Sequence, residues 1–450
     1  MRKASGSEGL PTTDGLPSHP VWMPLASLAW EGKVRQRGVG SSSTPQHRSS
    51  SQRLSSSQRL SSSQRLSSSQ VSPPLSVSPP LSVSPPLRSL LLSASLLLSG
   101  LSSSQRLSSS QVSPPLSMAA AVSKEGLVIP LIDYAKFVDG TPSERAATAD
   151  SILKGFQTAG FIYLKNHSIP ADVLAHTFAR SADFFDQPLD DKLKLGWTTA
   201  AANRGYSSPG REKVTQLKDG KDVDNLRNAA PDLKESYEMG RDSNAQFANP
   251  WPGEEGKLKG FRADMKDFFD RCKSMHQEVM RAIGLGMGLG EDFFNTFVDV
   301  GDNTLRLLHY PAVKADVFRI NPGQVRAGEH SDYGSITLLF QDSRGGLQVK
   351  SPTGHFVDAT PIEGTVVVNA GDLLARWSND TIKSTVHRVV EPPQKEGVEY
   401  PPRYSIAYFC NPNFACHIET LPGTYASEAE KKYEGINSGQ YLIQRLTATY

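Results

Sequence analysis

The sequence predicts a mainly β fold with flanking helices, preceded by an N-terminal tail that does not fold. Three observations carry that expectation: a serine- and proline-rich first quarter, one long apolar helical stripe in the middle, and a run of short β-rich segments after Asp302. A chain of 450 residues is long enough for two or three domains, so the first question is how much of it can bury a core. The expected organisation is a low-complexity tail over residues 1–117, a helix-and-strand region over 118–300, and a β-rich core ending in a C-terminal helix over 301–450.

Residues 49–117 repeat two short units, Ser-Ser-Ser-Gln-Arg-Leu and Val-Ser-Pro-Pro-Leu-Ser. These periods are far too short for a solenoid, and their composition leaves too little apolar surface to offset chain entropy, so this segment is expected to be disordered. Its richest apolar run, Leu87 to Leu101, is broken by serines and Arg88 and falls short of the ~20 residues that a membrane span needs. The Arg- and Ser-rich, acid-poor composition also fits an organelle transit peptide, the other readings being a plain tail or translated sequence upstream of a start at Met118. A cytoplasmic location is expected, with an organelle as the alternative.

Residues 1–117 hold 11 Lys and Arg against 3 Asp and Glu, whereas the remainder holds 37 against 43. The folding part is therefore mildly acidic and carries no basic stripe, which argues against a nucleic-acid partner. No membrane partner is expected either, and a small-molecule substrate is the expected ligand; oligomeric state is not legible. Cys272, Cys410 and Cys416 are odd in number and scattered. That fits neither a disulfide framework nor a paired-thiolate zinc site, and points to a reducing compartment.

Taken in order, Val128 to Asp133 reads as a short strand. Thr141-Pro142-Ser143-Glu144 supplies a cap, a first-turn proline and a capping-box glutamate for a helix with Ile152, Leu153 and Phe156 inward. Phe161 to Leu164 reads as a strand, and Ala171 to Phe185 as a helix facing inward through Val173, Leu174, Phe178 and Phe184. The longest helix is expected from Gly256 to Ala282, where Leu258, Phe261, Met265, Phe268, Cys272, Met275, Val279 and Ile283 form one stripe and Gly284 stops it. Beyond Asp302 come Leu305 to His309, Ser335 to Phe340, Leu347 to Val349, Thr365 to Val368, Thr385 to Val390 and Tyr404 to Phe409. Short strands between Gly, Pro and Asp clusters imply a sandwich or barrel, which a jelly roll closes naturally, with a ligand in its mouth. A C-terminal helix around Gln440 to Leu446 packs on this barrel or on a partner.

The chemistry centres on Glu329-His330-Ser331-Asp332-Tyr333-Gly334. An extended backbone points residues two apart to one face, so His330 and Asp332 form a half-site for a metal. His387 lies on another predicted strand, with 54 residues between it and Asp332. Two imidazoles and one carboxylate on one face of a metal leave the opposite positions open, which is the arrangement of non-haem Fe(II) oxygenases. Arg403 and Ser405, the first of them sixteen residues after His387, again share a strand face. A guanidinium fork beside a hydroxyl is a natural receptor for a carboxylate.

Other chemically capable residues take the plainer reading. His167 is structural, and His309, His355 and His417 lack an acid at ligand spacing. Gly345-Gly346 and Gly371-Asp372 read as turns between strands. Arg204, Tyr206, Arg306, Arg326 and Arg376 lie within reach of a barrel mouth but read first as packing or surface residues.

With these residues in place the region from Leu127 to Tyr450 resembles the isopenicillin N synthase-like family of Fe(II)/2-oxoglutarate dioxygenases. The resemblance rests on eight landmarks in family order: Ala159 to Pro170, Asn203-Arg-Gly-Tyr206, Leu305 to Pro311, the His-x-Asp pair, Gly345-Gly-Leu-Gln348, Asn369-Ala-Gly-Asp372, Trp377-Ser-Asn379 and the Arg-x-Ser pair. It implies a distorted double-stranded β-helix, or jelly roll, backed by α-helices. It also implies Fe(II) on His330, Asp332 and His387, and 2-oxoglutarate as co-substrate with its distal carboxylate on Arg403 and Ser405. Tyr310 matches a position that helps hold the co-substrate, while Leu308 stands where plant members commonly carry asparagine. The implied activity hydroxylates or desaturates a small organic metabolite with dioxygen, releasing succinate and CO2. Arg-x-Ser marks a carboxylate without saying which, so a 2-oxoglutarate-independent iron oxidase of the same fold is a second reading. An inactive metal-binding interaction protein is a third, against which the intact ligand set argues.

Overall fold

In the computed structural model, which describes residues 119–211, 232–320, 324–391 and 399–449, the strands of two facing sheets follow one another along the chain. They are β1 (Ala120–Lys124), β2 (Leu127–Asp133), β3 (Phe161–Lys165), β4 (Gly205–Ser207), β5 (Glu235–Gly240), β6 (Thr304–Tyr310) and β7 (Ala327–His330), followed by β8 (Ile336–Gln341), β9 (Leu347–Lys350), β10 (Phe356–Asp358), β11 (Thr365–Ala370), β12 (His387–Val389) and β13 (Arg403–Phe409). The major sheet has the order β1-β2-β3-β11-β8-β13-β6-β5-β4, and the minor sheet β10-β9-β12-β7. Four strands from beyond residue 300 thus form the centre of the major sheet, flanked on both edges by strands from before it. The molecule is a distorted jelly roll of mainly β character with flanking helices, and the predicted tail lies outside the described residues.

Alternation along the strands decides what each face of the major sheet does. Leu305, Leu307, Ile336, Leu338, Phe340, Val366, Val368, Ile406 and Tyr408 join the core on the helical side. Leu308, Tyr310, Leu339, Val367 and Ala407 face the opposite way and pack with Leu347, Val349, Val357 and Val389 of the minor sheet. The polar residues that share their parity therefore line the space between the sheets.

The helices cover the other face. Helix α1 (Pro142–Thr158) begins with the predicted capping box, Thr141 Oγ1 accepting from Glu144 N at 3.4 Å while Glu144 Oε2 accepts from Thr141 N at 3.1 Å. Helix α2 (Ala171–Phe185) coincides with the expected span. Helix α3 (Phe261–Gly286) buries its stripe completely from Phe261 to Ile283 but begins later and ends later than its sequence indicates. A separate 3-10 turn, Gly256–Leu258, precedes it, and the left-handed Gly260 (φ 78°) makes the break. Gly284 does not stop the helix, because the backbone of Gly290 packs against it so closely that a Cβ there would lie 2.7 Å from the Gly290 carbonyl oxygen. Gly371-Asp372 is likewise not a turn between strands: Asp372 starts helix α4 (Asp372–Trp377). Helix α5 (Ser438–Thr449) packs on the chain's own barrel.

His276 of α3 is fully buried, its Nε2 paired with Ser335 Oγ at 3.1 Å, and burial holds its pKa down at about 3. Unfolding would release this imidazole to take up a proton below its ordinary value of about 6.5. His276 therefore costs no stability above that pH and progressively destabilises the fold as pH falls from there towards 3. Denaturant titrations of wild type and His276→Gln across that range are expected to show a shallower acid-side loss in the variant; equal slopes would exclude this contribution.

Candidate metal centre and carboxylate pocket

His387 of β12 stands directly opposite His330 of β7 on one cross-strand rung. Asp332 lies just past the end of β7, outside the strand in which it was expected, yet still turns its carboxylate to the same point. One ligand atom from each of the three lies within 4.8 Å of the others. His330 Nε2 and His387 Nε2 are 3.9 and 3.8 Å from Asp332 Oδ1, too far to hydrogen-bond and far enough apart to share a cation.

The outward atoms of this set are already engaged. His330 Nδ1 donates to the Gly328 carbonyl at 2.7 Å and His387 Nδ1 to the Thr385 carbonyl at 3.1 Å. Those bonds put the proton on Nδ1 and leave the Nε2 lone pair pointing at the shared centre, as a metal ligand requires. Asp332 Oδ2 accepts from Thr337 Oγ1 and Asn369 Nδ2 at 2.5 and 2.7 Å, so Oδ1 is the oxygen turned to the histidines. The edge of Phe161 supports His387 at 5.4 Å between ring centroids. Burial and the adjacent His387 push the His330 pKa down to about 4, favouring the neutral ligand form. Burial opposes ionisation of Asp332, but the two imidazoles and its two donors outweigh it and hold the carboxyl below its usual range.

Arg403 and Ser405 share the chamber face of β13, and Tyr310 sits across the rung from Arg403. The guanidinium carbon lies 4.8 Å from the Tyr310 ring centroid. Its nitrogens donate to the Gly345 carbonyl (2.7 Å), Ser405 Oγ (3.2 Å) and Gln341 Oε1 (3.2 Å). Arg403 is only 1% exposed, yet among the described residues no carboxylate forms an ion pair with it. A cation so buried, held only by neutral acceptors, is poised for an anionic ligand. The pocket beneath it measures about 70 Å³ and is lined by all three predicted metal ligands together with Arg403, Ser405 and Tyr310.

A second cavity of about 60 Å³ shares His330, Asp332, Arg306 and Phe409 with that pocket and is bounded further by Asn203, Tyr333, Leu442 and Leu446. Arg306, read from sequence as packing, reaches this space: Glu238 holds its Nε at 2.7 Å and its guanidinium carbon lies 5.1 Å from the Phe409 ring centroid. The related residues do pack. Tyr206 is buried against Glu235, Arg204 donates to the Ala202 carbonyl, Arg326 donates to the Pro401 carbonyl, and Arg376 donates to the Glu434 carbonyl. His309 pairs with Glu235 at 2.7 Å, away from the metal centre. The sequence reading missed Phe409, Lys234, Thr337 and Asn369 as chamber residues. Strand parity with Ser405 would have found Phe409, whereas Lys234 precedes β5 and enters through its bond to Asp232, whose other oxygen accepts from Gly328 N at 3.0 Å.

Asn369→Ala removes one of the two donors that fix Asp332, and a loss of this kind typically costs about 10- to 100-fold in metal affinity. Anaerobic Fe(II) titration is expected to show that weakening with the fold intact; unchanged affinity would make the Asn369 contact incidental.

Comparison with known proteins follows the same lines. Residues 129–254 match the family described as the non-haem dioxygenase in morphine synthesis N-terminal region, and residues 301–412 match the 2OG-Fe(II) oxygenase superfamily. Proline hydroxylase buaE of Petromyces alliaceus is 37% identical over 324 residues, covering 71% of this chain and 98% of its own. A full-length Neurospora crassa protein crystallised in complex with alpha-KG and thymine superposes with a TM-score of 0.70 at 68% identity, over 74% of this chain and 100% of that one. A further crystal structure of that N. crassa protein holds alpha-KG and 5-formyluracil. A 2OG-Fe(II) oxygenase family protein from Caulobacter crescentus is 30% identical with a TM-score of 0.59, covering 71% of this chain and 98% of its own.

Proposed function

The chain belongs to the 2OG-Fe(II) oxygenase superfamily, and from that premise we propose that it oxidises the 5-methyl group of a free pyrimidine base of the thymine type. As a 2-oxoglutarate- and Fe(II)-dependent dioxygenase it couples oxidation of a small organic substrate to release of succinate and CO2. Of the sequence readings, the 2-oxoglutarate-independent oxidase and the inactive binding protein give way to this one.

The observation that carries the choice of substrate is the placement of Phe409 and Arg306 beside His330 and Asp332 in one small cavity. A flat heterocycle stacks on an aromatic ring, and a guanidinium donates to ring carbonyls. Glu238 aligns that guanidinium at 2.7 Å. The two pyrimidines held by the N. crassa protein differ only in the oxidation level of the carbon on C5, and its likeness to this chain supports the same ligand class here. The mildly acidic charge balance of residues 118–450 favours a free base over a nucleic acid.

In this reading His330, Asp332 and His387 hold Fe(II), and the outward bonds of both imidazoles and of Asp332 keep the three donors oriented. Arg403 and Ser405 bind the distal carboxylate of 2-oxoglutarate, with Tyr310 packed against the guanidinium. When bound, iron and 2-oxoglutarate with dioxygen supply the oxidising power, one oxygen atom entering the substrate C–H bond and the other entering succinate. The protein's own part is to place the methyl group beside the iron and to keep water from the site through the apolar walls of Leu308, Leu339, Leu347 and Val389.

The decisive assay is succinate formation by Fe(II)-loaded protein on admitting air, with 2-oxoglutarate and either thymine or L-proline. Thymine is expected to raise the rate above the substrate-free level and to yield 5-hydroxymethyluracil; stimulation by proline and not by thymine would overturn the pyrimidine reading. Arg403→Ala removes a charge-assisted contact of roughly 1.5–3 kcal/mol. It is expected to raise KM for 2-oxoglutarate by about 10- to 100-fold while iron stays bound, and an unchanged KM would take Arg403 out of the site.

A further inference from the structure

The C-terminal helix α5 stands between two voids. Leu442 and Leu446 face the substrate cavity of about 60 Å³. Tyr441 and Arg445, on the adjoining face, border an open cleft of about 640 Å³ that runs past Asp372 and Ser384. With space along two of its faces the helix is only lightly anchored in the core, Tyr441 packing at its edge and Leu446 alone of its apolar side chains being buried. Its N-terminal end is tied down, Ser438 N donating to the Cys416 carbonyl at 2.9 Å and Gly439 N to the Phe414 carbonyl at 3.1 Å.

Beyond that end the attachment is polar and leads to the metal half-site. Arg445 Nη1 donates to Asp372 Oδ2 at 2.6 Å, and the Arg445 guanidinium carbon lies 4.4 Å from the ring centroid of Tyr333. Tyr333 OH and Thr449 Oγ1 share a hydrogen bond of 2.5 Å. Asp372 also accepts from Ser331 Oγ at 3.1 Å and from Ser384 Oγ at 2.6 Å, while its backbone N–H donates to the Asp332 carbonyl at 2.7 Å. One carboxylate thus joins the loop that carries Asp332, the segment leading into His387, and the helix that roofs the cavity.

We propose that α5 is a hinged roof over the substrate cavity and that Arg445 is its positioning residue, setting Leu442 and Leu446 over the substrate through the ion pair with Asp372. This rests on the pyrimidine reading only for the choice of substrate. Arg445 lines neither the metal pocket nor the substrate cavity among the described residues, so its effect reaches the cavity through the helix and through Tyr333, on which its guanidinium rests and which lines the cavity. Closure bears on the substrate rather than the co-substrate, because Leu442 and Leu446 line the substrate cavity and not the pocket that holds Arg403.

The test uses full-length Arg445→Gln and Arg445→Lys. In the Gln variant KM for thymine is expected to rise about five- to tenfold, with iron content, KM for 2-oxoglutarate and substrate-free succinate formation as in wild type. The Lys variant, which keeps a charge for Asp372, is expected to recover most of the loss. A wild-type KM for thymine in Arg445→Gln overturns the proposal, as does equal impairment of Gln and Lys variants. Hydrogen exchange of residues 438–449 with Fe(II) and 2-oxoglutarate bound gives a readout that does not need thymine. Faster exchange in Arg445→Gln than in wild type and Arg445→Lys is expected, and equal exchange in all three overturns the roof even if thymine proves not to be the substrate.

Discussion

The whole site depends on the two-residue alternation of side chains along the central strands of the major sheet. Leu305 and Leu307 face the helices while Arg306, Leu308 and Tyr310 face the chamber; Ile406 and Tyr408 face the helices while Arg403, Ser405, Ala407 and Phe409 face the chamber. A slip of one residue in β13 would turn the guanidinium of Arg403 to the helical face, and a slip in β6 would turn Leu305 and Leu307 towards His330 and Asp332. The helical stripe from Phe261 to Ile283 is what forbids such a slip, since only one parity of the sheet is apolar enough to pack on it. Fold stability and site assembly are therefore one constraint.

Within the chamber the charged groups differ in how they are balanced. Arg306 is matched by Glu238 and Lys234 by Asp232, both across short contacts inside the protein. Arg403 is held by neutral oxygens, and the ligand atoms of His330, Asp332 and His387 converge on one point that could hold a cation. The two imbalances, one positive and one negative, mark the ends of the space proposed for the dianionic co-substrate. The cations of the balanced pairs line the same pocket as Arg403, so it is pairing and not position that sets Arg403 apart.

Much of this is legible in the sequence because it is written in local periodicity. The capping box at Thr141, the apolar stripe of α3 and the paired parity of Arg403 and Ser405 each need only a few neighbouring residues to be read, and each stands at its expected place. The readings that fail depend on contacts made from far along the chain. Gly284 reads as a stop, and only the approach of the Gly290 backbone explains why glycine sits inside the helix. Asp372 reads as a turn residue, although it gathers Ser331, Ser384 and Arg445 from three separate segments. Arg306 reads as packing, because nothing local says that Glu238 and Phe409 will meet it.

The rung that sets His387 opposite His330 also has a bearing on how such a protein can change. Both imidazoles are placed by β7 and β12 pairing directly, and Asp332 follows His330 by two residues, so none of the three converging side chains comes from the 54 residues between Asp332 and His387. Whereas the Gly345-Gly346 turn is bonded to Arg403 and to Val390, insertions or deletions in the turn around Gly354 leave that rung untouched. The same holds for exchanges at the rim: loops and the C-terminal helix can be rebuilt around new substrates while the iron stays where it is. A centre defined by a single pairing between two short strands is in this sense modular, its chemistry inherited intact while its selectivity is free to diverge.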